Sequence, residues 1–465
     1  MRISKMKWLA VGSAISALVA SNPVSAQTVE LVEAVEAALE SNPEINQAIQ
    51  NKEAIEFERE QAQGLFWPRI SVEGQAGARK LKNVTRRALG IANQTLYPAE
   101  LSISGEWTIL DGGRRSGELK RQAARTDGAA LRVEERSEFI ALQVARQYLD
   151  LLLQQRIVAA SDDNITFHRN LVTDLSEGVR QGSISIADQQ QAEERMQAAL
   201  VRRTEAEEDM VNATIALRSL TGLSISDVAM PGSSRSNVAP TLADAVSLAR
   251  TGNPKVQEAK ADVDAAHAMV QKAKADLAPT IGVEARARAG DDVDGFRGRT
   301  SDYMAMVVMR WNIFDGGINR AKVQEMVRRA SEARFRLHEM DREAESEART
   351  SWNRLTTQGK LLEELSQQGR VSDDLLISYR QQFNVGRRSL LDVLDAQNTR
   401  YNVQVRTETA RFSEMFAEFQ LLAATNQLLE ALNLGAPEAA RAYARERYNV
   451  GPTPPAETDY RRYPR

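Results

Sequence analysis

The sequence predicts a mainly helical chain with a membrane β part: long coiled-coil helices and four strands, arranged as an internal two-fold repeat. Three observations point there. First, Trp107-Thr108-Ile109-Leu110-Asp111-Gly112-Gly113 recurs as Trp311-Asn312-Ile313-Phe314-Asp315-Gly316-Gly317, a shift of 204 residues. Asn42-Pro43 recurs as Asn253-Pro254, and Pro68-Arg69-Ile70 as Pro279-Thr280-Ile281, at a shift of 211. The shift drops by seven only between Pro68 and Trp107, so one segment absorbs the whole length change. That is the behaviour of one tolerant surface loop in a duplicated structural unit. Second, each half holds two runs in which apolar and polar side chains alternate, the signature of a strand with one buried face. Third, each half continues into unbroken helical sequence too long for a globular core.

Taken in order, residues 1–26 read as a secretory signal. Arg2, Lys5 and Lys7 precede the apolar run Trp8 to Ala20, and Val24-Ser25-Ala26 is a small-residue cleavage site. The run falls short of the roughly 20 residues of a membrane-spanning helix. The first repeat, 27–222, opens with a helix from Glu30 to Leu65, interrupted by Pro43, which begins a fresh helix after Asn42. A strand pair follows within 68–108. Ile70, Val72, Gly74, Ala76 and Ala78 alternate with Ser71, Glu73, Gln75 and Arg79. Ala99, Leu101, Ile103, Gly105 and Trp107 alternate with Glu100, Ser102, Ser104 and Glu106. The second repeat, 240–435, has its pair within 279–312. There Ile281, Val283, Ala285 and Ala287 face away from Glu284, Arg286 and Arg288, and Tyr303, Ala305, Val307, Met309 and Trp311 line one face. Runs of about ten residues match a tilted bilayer strand, and Trp107, Tyr303 and Trp311 match interfacial aromatics. Periodicity alone fits a half-buried soluble hairpin equally well. The connections Lys80 to Pro98 and Gly290 to Asp302 read as long polar loops on one side, with helices on the other.

After each Asp-Gly-Gly comes a very long helix. Asp111 and Asp315 read as helix caps, and Gly112, Gly113, Gly316 and Gly317 as the strand-to-helix turns. From Gly317 to Asn384 there is no proline. Small or apolar residues recur at Val323, Val327, Ala330, Ala333, Leu337, Met340, Ala344, Ala348, Trp352, Leu355, Gly359, Leu362 and Leu365, twelve steps over 42 residues. The mean spacing of about 3.5 is a coiled-coil period. A narrow Ala-rich seam with charged flanks suits helices side by side in a thin wall, roughly 100 Å tall at ~1.5 Å per residue. Gly182 and Gly386 mark tight helix-tip turns in Arg180-Gln181-Gly182-Ser183 and Asn384-Val385-Gly386-Arg387. Helix resumes to about Leu220 and Leu432. Residues 223–239 read as an inter-repeat linker, and 436–465 as a flexible appended tail.

Composition limits the function. The formal net charge of −3 becomes −6 once the three basic signal residues are removed, which argues against a nucleic-acid surface. Without cysteine there is no disulfide, thiolate metal site or thiol chemistry, and no lipid-anchor Cys after the signal. His168, His267 and His338 are widely spaced in helical stretches and do not form a metal set. No nucleophile with a base, phosphate loop or metal cluster is legible, so neither an enzyme nor a cofactor is expected. Four lipid-facing strands cannot close a barrel, and each unpaired backbone group in hydrocarbon costs several kcal/mol. The smallest closed barrels have about eight strands. A dimer with eight or a trimer with twelve would satisfy the sheet; helices around a wide conduit favour the trimer.

The chain resembles the TolC-like outer membrane efflux proteins over about residues 28 to 435. The resemblance rests on the two Trp-x-Ile-Leu/Phe-Asp-Gly-Gly motifs, the two Asn-Pro openings, and Phe383-Asn-Val-Gly-Arg-Arg-Ser-Leu-Leu-Asp-Val-Leu-Asp-Ala-Gln397. It implies a homotrimer in the outer membrane, with a twelve-stranded β-barrel continued by a helical barrel through the periplasm. It implies partners: a periplasmic adaptor docking near the tips at Gly182 and Gly386, and an inner-membrane ABC or proton-driven transporter. It also implies a periplasmic gate. Two acidic rings fall by motif on Asp392 and Asp395, three residues apart and so on one helix face. Such rings select cations. Arg388 matches a gate-bonding arginine and Asp188 its partner aspartate. Phe383 departs from the family's frequent tyrosine, losing a hydroxyl; Arg387 is a substitute. The expected function is an export duct, most simply for type I protein secretion because the lipid-anchor Cys of many drug-efflux members is missing. A multidrug efflux duct is the alternative, and a periplasmic coiled-coil scaffold the remote one.

Overall fold

The computed structural model describes residues 28–460; the signal at 1–26 lies outside them. After the short β1 (Thr28–Val29), helices α1 (Leu31–Ser41) and α2 (Pro43–Gly64) lead to strand β2 (Arg69–Ala76). A loop containing α3 (Val84–Ala88) connects to β3 (Ala99–Leu110). Helices α4 (Arg114–Arg180) and α5 (Ile186–Thr221) then form a hairpin. Past β4 (Asp227–Val228) the order repeats: α6 (Leu242–Gly252), α7 (Pro254–Ala275), β5 (Thr280–Asp291), β6 (Arg299–Arg310), α8 (Ile318–Asn384) and α9 (Leu390–Ala424). Short α10 (Leu428–Ala431) and α11 (Ala444–Arg447) follow. Starts of α2 and α7 differ by the sequence shift of 211, and those of α4 and α8 by 204. The seven-residue difference therefore sits inside the strand pair.

Local chemistry explains the boundaries. Asn42 and Asn253 cap α2 and α7, each side-chain oxygen accepting an amide N–H at 2.9 Å, with proline in the first turn. The Asp-Gly-Gly turns work identically in both repeats. Asp111 accepts from the amides of Gly113 (3.1 Å) and Arg115 (2.9 Å), and Asp315 from those of Gly317 (2.9 Å) and Asn319 (2.9 Å). The residue at the formal cap is the second glycine, Gly113 at φ +93° or Gly317 at φ +91°, a conformation other side chains resist. The aspartate thus reaches over from two residues earlier.

Strands β2-β3-β5-β6 form one antiparallel sheet, in that order. The register puts Val72, Ile103, Ala287 and Tyr303 in one row, and Ile70, Gly105, Ala285 and Ala305 in the next. This face is apolar and open: Tyr303 is 80% and Val307 75% exposed. The opposite face carries Glu100, Arg286, Arg288 and Asp302, joined by ion pairs of 3.3 to 4.0 Å. The expected second loop, Gly290 to Asp302, shrinks to residues 292–298 because β5 and β6 run through most of it. The first loop stays long but contains α3.

Helices α4 and α8 each run 67 residues, roughly 100 Å. Every position of the α8 seam from Val323 to Leu365 is buried or half-buried. The main core lies where α1, mid-α4, the ends of α5 and α9, and α10 meet, around Tyr148, Phe419 and Leu422. The 223–239 linker is stitched in here: β4 pairs in parallel with β1, and Tyr148 donates to the carbonyl of Val29 or Ala229.

The tail differs from expectation. Residues 436–460 do not hang free but pack along α2, α4, α7 and α8. Arg445 lies between the buried Asp127 (3.0 Å) and Asp264 (3.1 Å), and Asp127 also accepts from the amides of Tyr443, Ala444 and Arg445. Thr453 donates to Asp264 and Ser331 to the buried Glu457. The Gly-Pro-Thr-Pro-Pro run and basic end of 436–465 read as a loose tail; buried charge pairing attaches residues 436–460 instead. Arg445→Ala leaves two buried carboxylates without their cation and is expected to cost about 3 kcal/mol or more. New protease cleavage between 446 and 460 would accompany the loss, and an unchanged denaturation midpoint would refute it.

Glu138, buried on α4, accepts the amide of Leu429 at 3.2 Å. Burial, reinforced by the charge of Glu134, pushes its carboxyl from the usual 4.5 up to about 7 against the pull of that amide. The folded chain thus holds a proton that the unfolded chain has released, so this group lowers stability as pH rises from about 4.5 to about 7. Glu138→Gln keeps the acceptor and drops the charge. Guanidinium unfolding is expected to match the parent near pH 4 and to exceed it by about 1–3 kcal/mol at pH 8. A pH-independent gap between the two proteins would contradict this.

Candidate functional site

The two helical hairpins end in equivalent tips. At the first, α4 stops at Arg180, Gly182 takes φ +75°, and Ser185 caps α5. At the second, α8 stops at Asn384, Gly386 takes φ +72°, and Ser389 caps α9. Ser389 and Asp392 form a capping box: the Ser389 hydroxyl accepts the Asp392 amide (3.3 Å) while the carboxylate accepts the Ser389 amide (3.3 Å) and hydroxyl (2.8 Å). Ser185 and Asp188 repeat the hydroxyl contacts at 2.8 and 3.1 Å, with the same shift of 204.

The tips pack side by side. Leu171, Leu175, Ala192, Leu390 and Leu394 form a buried cluster, with Ile184 and Phe383 against it. Phe383 also touches a second cluster of Leu376, Val393 and Ala396. The benzyl ring therefore fills an apolar seam, where a tyrosine hydroxyl would need a partner.

The charged residues stand outside this seam. Arg388 lies over the Tyr379 ring, 4.2 Å from its centroid, donates to Gln382 (3.2 Å), and approaches Asp392 at 3.7 Å. The Ser389 hydroxyl, chiefly, and then Arg388 hold the Asp392 carboxyl below the usual range. Asp395 is exposed one turn further along α9 and, among the described residues, enters no ion pair. Arg387 is also exposed. Within one chain Arg388 and Asp188 do not meet; each bonds on its own tip.

Sequence reasoning missed the capping serines, Tyr379, and a polar seam above the tips. There Ser161 meets Tyr401 at 2.8 Å and Gln397 donates to Asn164 at 2.8 Å, both buried. Buried His168 completes the α4 row; burial, then Arg195 and Arg202, push its pKa down to about 4, so it stays neutral. The spacing 161, 164, 168 is a seam register that was open to reading.

At the other end of the rods Trp107 and Trp311 are anchored alike in both repeats. Trp107 donates its indole N–H to the Phe66 carbonyl (3.0 Å) and Trp311 to that of Leu277 (3.1 Å). Trp67 (74% exposed) and Phe314 (85% exposed) extend this belt, whereas Tyr303 lies near the far end of β6. Trp67, Trp107, Trp311 and Phe314 flank the apolar face of the sheet at its helix end.

Comparison with known proteins agrees. The chain is 24% identical over 294 residues to the outer membrane efflux protein BepC of Brucella suis, covering 62% of this chain and 63% of that one. It is 23% identical over 273 residues to protein CyaE of Bordetella pertussis, covering 57% and 56%. The chain thus matches somewhat under two thirds of the length of these relatives. Its fold resembles the outer membrane protein VceC of Vibrio cholerae, with a TM-score of 0.74 at 15% identity over 88% of this chain and 97% of that one. A family profile described as outer membrane efflux protein matches residues 34–223 and 245–427. With both repeats matched, the chain belongs to the outer membrane efflux protein family.

Proposed function

We propose that three copies of this chain close a twelve-stranded barrel in the outer membrane and that their helices continue it as an exit duct. One observation carries the reading: a four-stranded sheet with an apolar outer face whose edge strands, β2 and β6, have no second partner among the described residues. In hydrocarbon those edges must be paired, and a copy of the same chain offers the complementary edge. The charged opposite face suits a water-filled interior. A channel, rather than a catalyst, follows.

The tips form the periplasmic gate in this reading. Asp395 is the free carboxylate of each α9, and three of them at a constriction make the cation-selective ring. Asp392 serves first as a helix cap and contributes second. In this reading Arg388 and Asp188 exchange their bonds on their own tips for a pair across neighbouring chains, and the exposed Arg387 takes the role of the missing tyrosine hydroxyl. An adaptor docks around Gly182 and Gly386. The cysteine-free composition favours type I protein secretion with an ABC transporter. Multidrug efflux is the second reading, favoured by the efflux name of the Brucella relative.

Detergent extracts of outer membranes are expected to yield a trimer that survives mild heating and collapses to monomer on boiling; a soluble periplasmic monomer would end the duct reading. Loss of the gene is expected to deplete secreted protein from the medium, whereas drug hypersensitivity with intact secretion would move the assignment to efflux. In planar bilayers, Asp395→Ala is expected to remove most block by trivalent cations, and Asp392→Ala a smaller part. Equal block in all variants would place the ring elsewhere. Ser389→Ala removes the cap, at about 1 kcal/mol, and is expected to speed amide exchange at Leu390 to Asp392 without dissolving the trimer.

A further inference from the structure

We propose that the loop between β2 and β3 is a docking platform for the phosphate groups of the outer-leaflet glycolipid around the barrel. The inference rests on the barrel reading above. The loop leaves the sheet at the end opposite the helices, which join the other ends of β2, β3, β5 and β6. Between Glu73 and Glu100 the sequence has five basic residues, Arg79, Lys80, Lys82, Arg86 and Arg87, and no acidic one.

Arg86 serves structure. It is 1% exposed, and its guanidinium donates to the carbonyls of Ile91 (2.8 Å), Gln94 (3.1 Å) and Gly295. One buried side chain thereby folds the loop on itself and ties it to the β5–β6 turn. Asn83 caps α3 by accepting the Arg86 amide at 2.8 Å. The platform is preformed.

The other four cations are exposed and, among the described residues, enter no ion pair. Acids of the facing turn are engaged elsewhere: Asp292 accepts the amides of Tyr97 and Gly298, and Asp294 pairs with Arg288. Beside the cations stand exposed apolar groups, Val84 at 78% and Leu89 at 58%. A loop in open water gains nothing from that mixture. The headgroup layer takes both, with phosphate oxygens for the cations and acyl boundary for the apolar tips. The second repeat's turn, residues 292–298, is too short for such a surface, which the longer loop of the first repeat, residues 77–98, provides.

The test uses the full-length trimer in phosphatidylcholine nanodiscs containing lipid A, dephosphorylated lipid A, or neither. Trypsin cuts after the four cations themselves. Lipid A is expected to slow cleavage at Arg79, Lys80, Lys82 and Arg87 at least about tenfold, and the dephosphorylated form is not. The triple variant Lys80→Gln/Lys82→Gln/Arg87→Gln is expected to retain at least about tenfold less lipid A by native mass spectrometry, with its heat-resistant trimer intact. Equal protection by both lipids, protection by inorganic phosphate alone, or unchanged retention by the variant would each overturn the proposal. A parent that forms no trimer would instead defeat the barrel reading.

Discussion

An unpaired peptide group in hydrocarbon is the constraint from which the molecule follows. The sheet β2-β3-β5-β6 satisfies its interior and leaves two edges. In water such edges could be blunted by charge, but here the row Val72, Ile103, Ala287, Tyr303 faces outward and is apolar, so water is not the intended neighbour. Closure by copies of the same chain resolves both facts at once. Closure also fixes a ring of helices beneath the sheet, because each strand pair is covalently continuous with rods of 67 residues. A ring of rods around a barrel has a bore. Its wall is one helix thick, so each helix can bury only a narrow seam, and alanine is frequent in that seam.

Rigid joints make this continuity useful. A flexible strand-to-helix connection would let the rods splay. Both Asp-Gly-Gly turns prevent this with two amide bonds to one carboxylate. The indoles of Trp107 and Trp311 brace the same joints from the other side by bonding the preceding helix ends. The joint is thus specified twice in each repeat, by a motif that recurs in the sequence and by a long-range indole bond.

The readable part of the fold was periodic or duplicated. The seam from Val323 to Leu365, the alternating strands and the Asn-Pro caps all rest on local spacing, and local spacing survives without tertiary knowledge. The shift from 211 to 204 even located the variable loop. Features held by distant pairs were not readable. Nothing near Arg445 announces that Asp127 and Asp264, far earlier in the chain, will surround it. Likewise the polar run Gly290 to Asp302 resembles a loop because its outward partners in β3 and β6 are out of view. At the tips the motif marks the turn segments, but it does not single out the two capping serines. Ser389-x-x-Asp392 is a capping box in plain sequence, and recognising it separates a carboxylate that closes a helix end from one that stays free.

That separation bears on how the proposed gate would hold and yet open. Adhesion between the two tips of one chain is apolar: Leu171, Leu175, Leu390, Leu394 and Phe383 exclude water whatever the state of the charges. Above them the α4–α9 contact turns polar, with Ser161 on Tyr401 and Asn164 on Gln397. Polar pairs of this kind fix register while packed, and cost less to slide than interlocked leucines because water can replace each partner as the seam opens. Of the charges at the tips, Arg387 and Asp395 are exposed and enter no ion pair among the described residues, whereas Arg388 and Asp188 bond on their own tips. A phenylalanine at position 383 fits this division of labour. It fills the apolar seam within a chain and brings no hydroxyl to bond outside it, so in the proposed gate any hold between chains falls to the charged residues of the tips.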